Sequence, residues 1–150
     1  MIINYNCKKL EDPKKFFHSH ASGNENIIFT SGIVSRKNDS TGLNIGVKFL
    51  ESASNNNNNK YVHDIELQFL DIIQQLELIC EDLKIKKTEL KDHILESKVY
   101  IVDVKRYFQV FNKCYGNWMG EKDNYPARTT IGVDGLPSNV VLEMSFILSK

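Results

Sequence analysis

With 150 residues, 41% of them hydrophobic, the chain has material for one buried core and too little length for two comfortable domains, so residues 1–150 are expected to form a single domain. Nineteen Lys and Arg residues balance nineteen Asp and Glu residues, which excludes a global field that would gather nucleic acid or an anionic membrane. No run of about 18 apolar residues occurs, and residues 1–6 lack a basic lead before an apolar stretch, so a soluble, unsecreted, cytoplasmic protein with no membrane partner is expected.

Cys7, Cys80 and Cys114 are odd in number and far apart, arguing against a disulfide framework and against a paired-cysteine metal site. Ile27, Ile28, Phe29 and Thr30 form a short β-prone run between Gly23-Asn24 and Ser31-Gly32. It is predicted to be a strand, with residues 37–42 as a surface turn. Residues 51–60 include five consecutive asparagines, Asn55 to Asn59, and offer almost nothing to bury. They are predicted to be a low-complexity, disordered loop insertion.

Over residues 62–83 apolar side chains recur at three- and four-residue steps, with Asp64, Gln68, Gln75 and Asp82 between them. This spacing predicts an amphipathic helix covering a small sheet. The basic Lys84, Lys86 and Lys87 at its end suit the helix dipole and otherwise make a solvated patch. Residues 99–102, β-branched and aromatic and preceded by Ile94-Leu95, predict a strand packed on that helix. A second helix is predicted after Asp103, with Tyr107, Phe108, Phe111 and Tyr115 as its apolar stripe, and it breaks before Pro126. Residues 129–133 and 140–148 complete the set as two strands joined through 134–139. The order strands, helix, strand, helix, strands gives an α+β fold with two helices on one face of a sheet.

Two charges stand out in the apolar C-terminal third: Arg128 in Tyr125-Pro126-Ala127-Arg128-Thr129-Thr130, and Glu143 in Val140-Val141-Leu142-Glu143-Met144. Together with Thr30-Ser31-Gly32 and Val110-Phe111-Asn112-Lys113-Cys114-Tyr115, these segments resemble the Rid (YjgF) family of enamine/imine deaminases, also called L-PSP endoribonucleases. The resemblance implies a chorismate-mutase-like (YjgF-like) sheet and a homotrimer with its sites between subunits. It also implies hydrolysis of 2-enamino or 2-imino acids, such as 2-aminoacrylate and 2-iminopropanoate, to 2-keto acids and ammonia, with no metal or organic cofactor.

Residue by residue, the resemblance places Arg128 on the substrate carboxylate, where a planar guanidinium offers two parallel donors. The plainer alternative for Arg128 is an ion pair with Glu143. Thr130, two residues on, is placed beside the bound imine. Glu143 matches the carboxylate that positions or activates water, a task one carboxyl group can combine with protonating the departing nitrogen. Ser145 stands where the family has a second glutamate. Ser31 and Gly32 are expected to line the ligand, Gly32 by letting backbone approach closely, and Asn112 and Tyr115 match the family's helix asparagine and tyrosine. His18 replaces the family's pocket tyrosine. His18 and His20 would share one side of a strand, but no third ligand has suitable spacing and no metal is expected. Two other functions fit the same resemblance: an L-PSP-type endoribonuclease or translation inhibitor acting on single-stranded RNA, and a non-catalytic trimeric ligand sensor or chaperone. RNA is the less favoured partner, because no basic strip with interleaved aromatics is present.

Overall fold

The computed structural model describes residues 1–50 and 61–150, and the asparagine-rich insertion expected at 51–60 lies outside the described residues. The chain runs β1 (Ile3–Tyr5), β2 (Ala21–Gly23), β3 (Ile27–Thr30), β4 (Ile33–Val34), β5 (Val47–Phe49), β6 (Tyr61–His63), α1 (Ile65–Asp82), the single turn α2 (Leu90–His93), β7 (Ile94–Val102), α3 (Val104–Met119), β8 (Ala127–Val133) and β9 (Leu142–Ser149). The main sheet has the order β1-β2-β3-β9-β7-β8, with β4 also pairing to β9, while β5 and β6 form a separate ladder. β7 and β8 are parallel. Parallel neighbours need a crossover, and α3 supplies it.

Alternation decides which face is covered. Along β9, Leu142, Met144, Phe146 and Leu148 are all buried, while Glu143, Ser145 and Ile147 between them are half-buried. Each fully buried side chain of this size contributes roughly 1.5–3 kcal/mol relative to exposure, so β9 anchors the core. Both long helices pack on that face. Phe69 of α1 meets Phe111 of α3 edge-on at 5.9 Å, and Trp118 of α3 reaches Phe146 at 6.5 Å. The opposite face carries exposed Phe29 and Ile131.

The helix expected from residue 62 starts later. Tyr61–His63 is a strand, and the Asp64 side chain caps α1 by accepting from the Leu67 N–H at 3.0 Å. Such a cap fixes where the helix begins. At the other end Lys84 is left-handed (φ 64°) and the Ile85 N–H returns to the Cys80 carbonyl at 2.9 Å, so the basic run lies beyond the helix. Gln68 and Gln75, expected between the apolar positions, are buried. Gln68 Oε1 accepts from the Val141 and Leu142 N–H groups, and its Nε2 donates to the Gly46 carbonyl. Gln75 Nε2 donates to the Val34 carbonyl and to buried Asp71, which also receives the Arg36 guanidinium and the Arg36 N–H. These polar side chains tie α1 to β4 and to the start of β9, and full partnering is what makes their burial tolerable. In α3, Tyr107, Phe111, Tyr115 and Met119 are the buried stripe, and Phe108 turns outward.

Candidate functional site

Arg128 sits on β8 in register with Ser97 of β7, which in turn faces Phe146 of β9. All three side chains therefore belong to the helix-covered face. There Arg128 Nη2 donates to Asn112 Oδ1 at 2.8 Å, and the guanidinium lies over the rings of Tyr115, 4.8 Å away, and Phe111, 5.8 Å away. Tyr115 is itself fixed by a buried 3.0 Å bond between its hydroxyl and Ser97 Oγ. The aromatic floor and one amide set the direction of the guanidinium, leaving most of its five donors unspent. Thr130 is on the same face, and its Oγ1 is buried without a hydrogen-bond partner. Asn112 thus acts on Arg128, as an orienter.

Glu143 is on the other face. Its register partner is Tyr100, an odd number of residues from Ser97. Two strand spacings across and three residues along separate the Arg128 and Glu143 backbones by roughly 14 Å. The Arg128–Glu143 ion pair considered from the sequence does not form within a chain. Burial alone pushes the Glu143 pKa up, so no cation among the described residues holds it ionised, and a carboxyl displaced toward neutrality is better placed to exchange protons.

Glu143 lies against Gly32. A Cβ built on Gly32 would fall 1.9 Å from Glu143 Oε1, so this glycine makes room for the carboxylate rather than for a turn. The neighbouring Ser31 donates from Oγ to the Ser19 carbonyl at 2.6 Å, and its N–H donates to the His20 carbonyl at 3.0 Å. Those bonds carry residues 18–20 alongside. His18 opens onto a cleft of about 450 Å³ that it shares with Asn4, Lys14, Phe17, Ser19, Ser22 and Ser31.

His18 and His20 are not on a strand, since β2 begins at Ala21. His18 Nδ1 donates to the Ser19 carbonyl at 3.1 Å, and His20 Nδ1 accepts from the Cys7 N–H at 2.9 Å. The two imidazoles serve different backbone partners, and no cluster of three metal-binding side chains occurs among the described residues. A larger groove, about 740 Å³, runs beside the end of α1. Its charges are largely paired, Lys87 with Glu77 inside the groove and Arg36, Glu81 and Lys86 with Asp71, Lys9 and Glu89 outside its lining, and none of the residues expected from the sequence lines it.

The expected residues thus gather into two groups: Arg128, Asn112, Tyr115 and Thr130 on the helix side of β8, and Glu143, Gly32, Ser31 and His18 around β3, β4 and β9. Phe111, expected only as part of an apolar stripe, lies under Arg128, and Lys14, which lines the cleft, was not expected at a site. For Phe111 the signal was its four-residue step to Tyr115; Lys14 carried none.

The sequence model described as Endoribonuclease L-PSP matches residues 13–149. A RutC family protein of Aquifex aeolicus is 29% identical over 91 residues, 61% of this chain and 69% of that protein. A RutC family protein of Saccharolobus solfataricus is 32% identical over 87 residues, 58% of this chain and 64% of that protein. Among solved structures, yeast Mmf1 superposes with a TM-score of 0.69 at 24% identity, covering 100% of this chain and 99% of that one. The YjgF product of E. coli superposes at 0.63 with 22% identity, covering 89% of this chain and 87% of that one. E. coli TdcF, in a crystal structure with bound serine, gives 0.63 at 20% identity, covering 89% and 87%. These structural likenesses speak to the fold.

Proposed function

The chain belongs to the endoribonuclease L-PSP family, the YjgF/RutC/Rid proteins, and from that premise we propose that it hydrolyses 2-imino and 2-enamino acids to 2-keto acids and ammonia. The observation that carries the proposal is the posture of Arg128. Its guanidinium is held over Tyr115 and oriented by Asn112, yet among the described residues it has no carboxylate partner. An oriented, unpaired guanidinium is suited to the α-carboxylate of a small acid.

In this reading the site is shared. Arg128 of one chain meets the Glu143, Gly32 and Ser31 group of a neighbour in a homotrimer, because the two groups lie on opposite faces of one sheet. The substrate carboxylate pairs with Arg128, which places the C=N carbon near Glu143. Glu143 takes a proton from the attacking water as oxygen bonds to that carbon. The same proton then passes to nitrogen to give the carbinolamine, and the hydroxyl proton follows it through Glu143 to the amino group as the C–N bond breaks, so that ammonia leaves and the C=O forms. Thr130, whose hydroxyl lacks a partner, accepts or donates at the bound nitrogen. No electron donor or acceptor is consumed. The fold relative crystallised with serine supports a small amino-acid-like ligand for this architecture, and the zero formal charge favours it over single-stranded RNA.

The test is to generate 2-imino acids in situ with an amino-acid oxidase and follow keto-acid release. Arg128→Ala is expected to abolish the acceleration while leaving assembly intact. Arg128→Lys should lose most of it, since one ammonium cannot reproduce the planar fork. Full activity in folded Arg128→Ala would overturn the assignment, and steep loss of RNA binding with salt would then favour the nuclease alternative.

A further inference from the structure

The cleft beside Ser31 has a one-sided chemistry. Its lining is Asn4, Lys14, Phe17, His18, Ser19, Ser22 and Ser31, with one ammonium, an imidazole and three hydroxyls but no carboxylate. Lys14 is held in place from both sides. Its N–H donates to Asp12 Oδ1 at 3.0 Å, Pro13 before it is buried, and its carbonyl receives the Phe17 N–H at 3.0 Å, with Phe17 left-handed at φ 63°. The adjacent Lys15 is paired with Glu11, whereas the Lys14 ammonium has no ion-pair partner among the described residues. His18 is turned by the Ser19 carbonyl, which can only accept: Nδ1 donates to it, and Nε2 is the ring nitrogen left for a ligand. Ser31 spends its hydroxyl proton on the Ser19 carbonyl, leaving Ser19 and Ser22 as the hydroxyl donors.

This cleft neighbours the reaction centre proposed above, because Ser31 lines it and the next residue in the chain, Gly32, lies against the Glu143 carboxylate. We infer that the Lys14 cleft holds a second carboxylate, so that the substrates are imino diacids, the imines of aspartate- or glutamate-like amino acids, in preference to imines with short apolar side chains. The inference rests on the imine-hydrolase reading of Arg128 and Glu143. Its physical basis is direct: one end of the substrate pairs with the guanidinium and the other with an ammonium that has no ion-pair partner among the described residues. A short alkyl side chain would leave that ammonium and the hydroxyls without a ligand and gain little apolar contact, with Phe17 as the cleft's single large apolar residue.

The experiment compares kcat/KM for imines generated from aspartate or glutamate with that for the imine of alanine, in the wild-type chain and in Lys14→Gln. The wild type is expected to prefer the diacid imines by roughly tenfold or more, and Lys14→Gln to reduce that ratio by about tenfold. A second measurement keeps the two ideas apart. Calorimetric binding of oxaloacetate and 2-oxoglutarate, which do not react, is compared with pyruvate in the same two proteins. If no imine is turned over but the keto diacids bind better than pyruvate and lose that advantage in Lys14→Gln, the hydrolase reading fails and the second-carboxylate site stands. Equal affinity for diacids and pyruvate, a preference untouched by Lys14→Gln, or displacement by inorganic phosphate as strong as by oxaloacetate overturns the inference.

Discussion

Glu143 shows how one residue's surroundings set its chemistry. Its carboxyl is half withdrawn from water with no cation nearby among the described residues, and burial raises its pKa above the ordinary glutamate value. A base must be deprotonated to accept a proton from water. The activity limb governed by this group should therefore fall with decreasing pH at a higher pH than an ordinary glutamate would give. The kcat/KM profile, corrected for uncatalysed imine hydrolysis, is expected to show that limb, and Glu143→Gln to remove both the limb and most of the activity. A folded Glu143→Gln variant with an unchanged profile would assign proton transfer elsewhere. Gly32 belongs to the same arrangement, since any Cβ there would occupy the place of the Glu143 carboxylate.

Among the elements, α1 is attached by polar bonds as much as by its apolar stripe. Gln68 satisfies two consecutive backbone donors, the Val141 and Leu142 N–H groups, at the buried start of β9. Gln68→Ala leaves both unpaired at a cost of about 2–6 kcal/mol, given that each buried unsatisfied group costs about 1–3 kcal/mol. Urea unfolding at fixed protein concentration measures this. The N-terminal segment is tied differently, through His20 Nδ1, which must be unprotonated to accept from the Cys7 N–H. Burial lowers the His20 pKa from its ordinary 6.5. Its folded form thus binds the proton less readily than the unfolded chain does. The contribution to stability is present above the unfolded value and is lost as pH falls through it toward the folded one. His20→Asn, which keeps an acceptor that does not titrate, is expected to flatten the stability profile in that window. A slope as steep as that of the wild type would locate the effect in another group.

At the scale of the whole molecule, the sheet has one face under helices and one without. The bare face shows Phe29 and Ile131, about half exposed, beside half-buried Ile147. An uncovered apolar sheet face of this kind is where another copy would pack. It adjoins Glu143, so assembly and the completion of the site are expected to be one event. Sedimentation at micromolar concentration should give a trimer, and Phe29→Glu, which puts charge on that face, should yield smaller species with little imine-hydrolase activity. Monomers that retain full activity would show that Arg128 and Glu143 need not be shared.

The sequence by itself determined the α+β order of elements and the family, because helical and strand periodicities and short motifs such as Pro126-Ala127-Arg128-Thr129 are local. It identified the residues now grouped around Arg128 and Glu143, and it missed the start of α1, where Asp64 as a cap outweighed an apolar Val62. It placed Gln68 and Gln75 among the polar positions, since periodicity records polarity and is silent on whether a buried partner awaits. Tertiary structure alone decided that Arg128 and Glu143 face opposite sides of the sheet. That follows from strand register across β7, a relation between residues far apart in the chain, and one residue of slip would reverse it. It also decided that Gly32 serves Glu143 and that Lys14 has no ion-pair partner among the described residues and lines a cleft whose lining holds no acid, because close approach and the absence of a neighbour are properties of space that no single stretch of sequence contains.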